Sequence, residues 1–174
     1  MLPVMAAKLA ASIVGAALWA AFDGPAFLVA WAIGILPIWS ELVATRLTGC
    51  EPSTEDRLPW KILDNCIDAG SFVLLPVAWF ASVTRLGWPA YVGLAAFAGC
   101  GIYRLVRFVR KGLVSNQFFE GLPVTYTGYA WVVLAAVDWW NQPWVSFVLL
   151  TGLSYAMVST RIRIRRTQTR NDFP

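Results

Sequence analysis

The segment ILDNCIDAGSFVLLPVAWFASV, residues 62–83, decides the fold class of this chain. It is long and apolar enough to cross a membrane as one helix, because a helical span takes about 20 mostly apolar residues. Two aspartates, Asp64 and Asp68, lie near its beginning, where a carboxylate is costly to bury in hydrocarbon. The segment therefore predicts a membrane helix that also carries a functional site.

The rest of the 174-residue chain has the same character. Hydrophobic residues make up 58% of it, the mean hydropathy is +0.59, and 14% of the residues are charged, against about 25% in a soluble domain. These values exclude a soluble globular domain and a disordered chain. Five further stretches are apolar enough to span a membrane: residues 3–22, 25–45, 88–108, 122–139 and 143–160.

The predicted fold class is thus an all-α integral membrane protein with six transmembrane helices. Residues 1–174 form a single domain in this interpretation, with a basic tail at about residues 161–174. The chain contains no histidine, which excludes imidazole-based metal binding and catalysis by a Ser-His-Asp triad.

The basic residues predict the orientation in the membrane. With six spans, all 14 lysines and arginines except Arg85 fall on one side, and the positive-inside rule makes that side and both termini cytoplasmic. Trp88, Trp139, Trp140 and Trp144 fall at the opposite ends of the spans, as expected of an aromatic belt. The net charge of +4 follows from this bias and requires no nucleic-acid partner, whereas the basic tail can contact anionic membrane lipids.

Three carboxylates fall inside predicted spans. Glu41 lies near the cytoplasmic end of the second span, while Asp64 and Asp68 share one face of the third, about 6 Å apart. Two like charges at this spacing destabilise a helix unless a cation or a proton intervenes, and a hard divalent ion suits oxygen ligands. Alternatively, the carboxylates stay solvated in the interface, or pair with Arg46 or Lys61.

Three arginines, Arg104, Arg107 and Arg110, recur at the cytoplasmic end of the fourth span. Arg104 and Arg107 point the same way on a helix and could bind phosphate through paired N–H groups. The alternative is that they only extend to the interface and anchor the topology. Together, carboxylates that hold a metal and arginines that hold phosphate are suited to a diphosphate substrate.

Three segments resemble bacterial phosphatidylserine synthases of the CDP-alcohol phosphatidyltransferase superfamily. They are LDNCIDAGSFVLLP at residues 63–76, YRLVRF…FFEGLP at residues 103–123 and MVSTRIRIR at residues 157–165. The sequence RLTG, residues 46–49, is similar to the end of the superfamily motif. The resemblance covers most of the chain between residues 41 and 166, and the six predicted spans agree with the six helices of the family.

The resemblance implies an enzyme of phospholipid biosynthesis in a bacterial inner membrane. Such an enzyme transfers a phosphatidyl group from CDP-diacylglycerol to an alcohol acceptor, releases CMP, uses Mg²⁺ or Mn²⁺ and forms a homodimer. The resemblance implies Asp68 as the general base. The metal ligands that it implies are Glu41, Asp64 and Asp68, and the phosphate-binding residues are Arg46, Arg104 and Arg107.

The superfamily signature, D-x2-D-G-x2-A-R-x8-G-x3-D-x3-D, is incomplete in this chain. Ile38 stands in place of the first aspartate, Glu41 replaces the second and Leu42 replaces the glycine beside the nucleotide. Thr45 and Trp60 also depart from the pattern, and the link before Asp64 is five residues too long. The alternative function is therefore a catalytically inactive member that serves as an accessory or structural subunit of a membrane complex, or as a lipid-binding protein.

The predicted orientation can be tested by labelling with a membrane-impermeant thiol reagent. A cysteine placed at Asn141, between the fifth and sixth predicted spans, should react only from the outer side. Reaction of that cysteine from the cytoplasmic side would contradict the six-span topology.

Overall fold

The computed structural model describes residues 2–21, 26–48, 58–83, 87–111, 118–136 and 142–165. Nearly all of these residues are helical, as expected of an all-α membrane protein. Some residues of the sequence-based predictions lie outside the described ranges: Arg57, Arg85, Trp139, Trp140, Asn141 and the tail at residues 166–174.

Two helices of at least 20 residues and one composite helix form the longest elements. Helix α1 is Leu2–Ala21 and helix α6 is Trp88–Lys111. The composite helix begins with α4 (Leu58–Asp68), continues through a π-helical segment (Ala69–Leu74) and ends with α5 (Leu75–Val83). The third span predicted from the sequence is therefore one continuous helix over its described residues, with a π-helical segment in its middle.

Shorter elements complete the described structure. The helices are α2 (Ala26–Gly34), α3 (Leu36–Thr48), α7 (Thr127–Ala136) and α8 (Pro143–Val158), with a 3-10 turn at Val124–Tyr126 before α7. Two three-residue strands, β1 (Phe118–Glu120) and β2 (Arg163–Arg165), follow α6 and α8 respectively.

Three described helices are long and apolar enough to cross a membrane: α1, Leu58–Ser82 and α6. The pair α2 and α3 counts as a fourth if it is one span bent by 41°. The apolar helices Val124–Ala136 and Pro143–Val158 are shorter than a full span. The described residues thus contain three to four candidate spans, and six spans stays a prediction.

The bend between α2 and α3 was not predicted from the sequence, which was interpreted as one span over residues 25–45. Pro37 has no N–H, so it cannot donate the usual helical hydrogen bond to the carbonyl four residues earlier. The backbone bonds from Ile35 N to Trp31 O, at 2.8 Å, and from Trp39 N to Ile35 O, at 3.0 Å, continue across the bend. Helix α3 packs along α1, whereas α2 packs mainly against α7 and α1.

The core of the bundle is aromatic. The Trp131 ring lies 5.4 Å from the ring of Phe80 and 5.1 Å from that of Phe97, and all three side chains are buried. At the starts of α6 and α8, the exposed rings of Trp88 and Trp144 pack edge to face at 5.7 Å. These two tryptophans mark one end of the α6–α8 pair, and the two strands lie beyond its other end.

The strand pair is the departure from the all-α prediction. Strands β1 and β2 pair antiparallel, with Phe119 opposite Ile164. Directly after β1, Gly121 adopts φ +77°, a conformation that favours glycine, and its N–H donates to Ile162 O at 2.8 Å. Leu122 N then donates to Ala156 O at 2.9 Å. These bonds fasten the segment after α6 to the end of α8.

The contact between α2 and α7 depends on two facing glycines, which yields a stability prediction. A Cβ at Gly128 would collide with the carbonyl of Gly34, so Gly128→Ala should lower the free energy of unfolding by about 1–3 kcal/mol. Gly99 in α6 has open space around it, so Gly99→Ala is the matched control and should leave stability unchanged or slightly raised. Thermal unfolding in detergent measures both, and equal melting temperatures for the two variants would contradict the close packing.

Candidate functional site

Lys8 lies at the centre of a cluster of three carboxylates. Its Nζ is 3.1 Å from Glu41 Oε2, 2.9 Å from Asp64 Oδ1 and 2.7 Å from Asp68 Oδ1. The contacts with Asp64 and Asp68 are hydrogen bonds that the ammonium donates. The structure therefore brings the three predicted metal ligands together around a lysine.

The positions of these side chains follow from three helices. Lys8 comes from α1, Glu41 from α3, and Asp64 and Asp68 are one turn apart on the same face of α4. One turn after Lys8, the hydroxyl of Ser12 lies 2.6 Å from that of Ser71, a contact that joins α1 to the π-helical segment. Glu41 is available to Lys8 because α3 packs against α1.

The lysine is far more buried than its partners. Its side chain is 1% exposed, whereas that of Glu41 is 27% exposed. An ammonium removed from water in this way requires compensation by opposite charge. Three carboxylates surround this one ammonium, and two further cations, Lys61 and Arg104, line the same cavity as the carboxylates.

Arg104 lines the same cavity as the three carboxylates of this cluster. It is 5% exposed, and its Nε has no hydrogen-bond partner. The guanidinium carbon is 6.0 Å from the centre of the Phe119 ring, which belongs to β1. The strand after α6 thus covers a buried arginine that has unused donor capacity.

The cavity has a volume of about 190 Å³. Charged and polar residues line it together with the aromatic side chains of Phe108 and Phe119. Asn65 is among the lining residues, is 6% exposed, and has a side-chain oxygen without a partner. The charged and polar lining residues are Glu41, Lys61, Asp64, Asn65, Asp68, Arg104 and Thr125.

Arg107 has a different environment from Arg104. Its Nη1 donates to Val158 O at 2.8 Å, and its Nη2 donates to Glu120 O at 2.9 Å and to Met157 O at 3.4 Å. These carbonyls belong to the end of α8 and to β1. The phosphate-binding role of Arg107 stays a prediction, but in this structure its guanidinium holds the two segments together.

Arg46, the third predicted phosphate-binding residue, lies in the last turn of α3 and is exposed. It does not line the cavity that Arg104 lines. Of the three predicted phosphate-binding arginines, Arg104 alone therefore shares the cavity with Asp64 and Asp68. A phosphate-binding role for Arg46 stays a prediction.

A divalent ion does not fit the carboxylate cluster as it is arranged here. Mg²⁺ takes oxygen ligands at about 2.1 Å, but the ammonium of Lys8 already occupies the point to which the three carboxylates converge. Among the described residues, no group of three or more His, Cys, Asp or Glu side chains is arranged to hold a metal ion. The metal site implied by the resemblance would require Lys8 to withdraw.

The role of Lys8 was not predicted from the sequence, in which this residue was interpreted only as a positive charge that sets topology. A signal was present, because Lys8 is the only charged side chain in residues 1–22. A lysine seven residues into an apolar helix needs a buried partner, and three carboxylates elsewhere needed a cation. Pairing these two requirements would have predicted the cluster.

The contacts of Arg107 generate a stability prediction. Arg107→Met removes a guanidinium that donates to three carbonyls, so the free energy of unfolding should fall by about 3 kcal/mol. Arg110→Met is the control, since Arg110 lies one turn later on α6 and is exposed. Thermal unfolding in detergent compares them, and a melting temperature for Arg107→Met equal to that of Arg110→Met would be evidence against the structural role.

Comparison with known proteins does not extend the family resemblance described above. No family model matches the chain, and no curated protein or solved structure matches it. The relation to CDP-alcohol phosphatidyltransferases therefore stays a prediction that depends on the three quoted segments.

Proposed function

We propose that this chain is a membrane protein that binds a phospholipid head group in the cavity lined by Arg104 and by the carboxylates around Lys8, without catalysing metal-dependent transfer. One observation carries the proposal. Arg104 and Asn65 both line the cavity, and each has a buried polar atom without a hydrogen-bond partner. Because buried polar groups in proteins are nearly always paired, two unpaired atoms at one cavity favour a polar ligand there.

The charges around the cavity favour a head group that carries both signs. Arg104 offers a planar set of donors suited to a phosphate. Each carboxylate around Lys8 contacts its ammonium through one oxygen, so the second oxygens can accept hydrogen bonds from an ammonium group of the ligand. A zwitterionic phospholipid satisfies both sides, whereas a purely anionic head group meets the carboxylates with like charge.

The chain crosses the membrane six times, with both termini and the cavity on the cytoplasmic side of a bacterial inner membrane. The three long helices and the bent pair support four of these crossings. The basic residues at the ends of α3 and α6 support the orientation through the positive-inside rule. The protein acts as a homodimer or as a subunit of a larger membrane complex.

A second candidate is phosphatidyl transfer from CDP-diacylglycerol to an alcohol acceptor, as the resemblance implies. It is favoured by one observation, that Asp64, Asp68 and Arg104 line the same cavity. Against it stands the 2.7 Å hydrogen bond from Lys8, which occupies an oxygen of the carboxylate that would serve as general base. No step of transfer follows from the present arrangement of these side chains.

Lipid binding can be measured by native mass spectrometry of the detergent-solubilised protein with phosphatidylethanolamine, phosphatidylglycerol or diacylglycerol added. We expect phosphatidylethanolamine to bind most tightly. Arg104→Gln should weaken its binding about 10-fold or more, because a hydrogen bond to a charged group contributes about 1.5–3 kcal/mol.

The matched control for lipid binding is Arg161→Gln, which removes an exposed charge after α8. It should leave the affinity unchanged if binding occurs in the cavity. Equal affinity of the wild type for diacylglycerol and phosphatidylethanolamine would refute the proposal, as would full binding by Arg104→Gln.

The second candidate is separated from the first by assaying CMP release from CDP-diacylglycerol with Mg²⁺ or Mn²⁺ and a serine, glycerol phosphate or inositol acceptor. The lipid-binding proposal expects no release above background. Release that depends on the acceptor and is abolished by Asp68→Asn would establish transfer instead.

A further inference from the structure

We propose that Lys8 is an internal cation that permanently takes the place of a divalent ion between Glu41, Asp64 and Asp68, and makes this site independent of metal. The role proposed for Lys8 is separate from lipid binding, because the lipid head group need not contact Lys8. It also explains how three carboxylates can converge inside an apolar bundle.

The first support is the position of the ammonium. Carboxylates from two different helices converge on one atom from a third helix, with distances of 2.7–3.1 Å to one oxygen of each. These are the distances of an ammonium among carboxylates, and they exceed those of Mg²⁺ or Ca²⁺ to oxygen, about 2.0–2.6 Å. The oxygens are therefore spaced for the lysine.

The second support is the burial of Lys8 among the described residues. Its side chain is 1% exposed, and α1 packs against both α3 and α4, which supply the carboxylates. A lysine at a membrane surface extends its ammonium into solvent and leaves its stem on apolar residues. Lys8 does the reverse, so it belongs to the interior of the cluster.

The ammonium of Lys8 and a divalent metal ion cannot occupy the cluster together. A divalent ion bound to the same oxygens would lie within about 3 Å of the ammonium, where like charges repel strongly in a low-dielectric interior. Lysine also supplies one charge where the metal would supply two. The cluster consequently keeps more negative charge toward the cavity, which agrees with an ammonium-bearing ligand.

The test is Mn²⁺ binding, measured by loss of the free-ion signal in electron paramagnetic resonance together with the melting temperature. The purified wild-type protein should bind no Mn²⁺ at the cluster and should melt at the same temperature with or without millimolar Mn²⁺. Lys8→Met keeps the length of the side chain but removes its charge. Its melting temperature should fall by about 10 °C, because three carboxylates lose their buried counter-ion.

Mn²⁺ should then restore part of the melting temperature of Lys8→Met, and this rescue should disappear when Asp68→Asn is added. The matched control is Lys111→Met, an exposed lysine at the end of α6, which should neither lose stability nor respond to Mn²⁺. Lipid binding by the wild type is measured separately, so failure of one proposal does not imply failure of the other.

Three results would overturn the internal-cation proposal. One is saturable Mn²⁺ binding by the wild type that Asp68→Asn abolishes, a measurement that needs no folded Lys8 variant. Another is a Lys8→Met protein with an unchanged melting temperature. The third is a folded but destabilised Lys8→Met protein that Mn²⁺ fails to rescue.

Discussion

The cation buried at Lys8 is the constraint on which the arrangement of the helices depends. An ammonium seven residues into an apolar helix has no solvent to stabilise it, so it must find opposite charge inside the bundle. Glu41 and the aspartates of α4 provide it at 2.7–3.1 Å. Meeting this requirement fixes α1 against both α3 and α4, and the Ser12–Ser71 contact at 2.6 Å continues the same attachment one turn further along.

At the same end of the bundle, a second polar connection joins the parts that follow α6 and α8. Arg107 donates to the carbonyls of Glu120, Met157 and Val158, and Gly121 takes a positive φ where a Cβ would collide with Met157 O. The segments FFEGLP and MVST, residues 118–123 and 157–160, meet here. These bonds hold the chain beside the cavity that Phe119 and Pro123 help to line.

Much of the helical structure could be predicted from the sequence, because apolar length alone determines where long membrane helices lie. The ends predicted for α1 and for the start of α6 agree with the structure to within one residue. The bend near Pro37 and the strand pair could not be predicted in this way, since they depend on backbone bonds between distant segments and have no apolar periodicity. The carboxylates were recognised as candidates from their cost in hydrocarbon, but their partner was missed because Lys8 was assigned to topology.

The different environments of Arg104 and Arg107 show why spacing alone could not assign their roles. Both lie near the end of α6 three residues apart, yet Arg107 reaches backbone carbonyls while Arg104 stays buried over the cavity with an unpaired Nε. The difference comes from β1, which presents the Glu120 carbonyl to Arg107 and the Phe119 ring to Arg104. In the proposed function the strand therefore gives Arg107 a structural role and leaves Arg104 to bind the ligand. Lys8 differs from Arg104 in the same way, because its ammonium is paired with three carboxylates whereas Arg104 Nε has no partner.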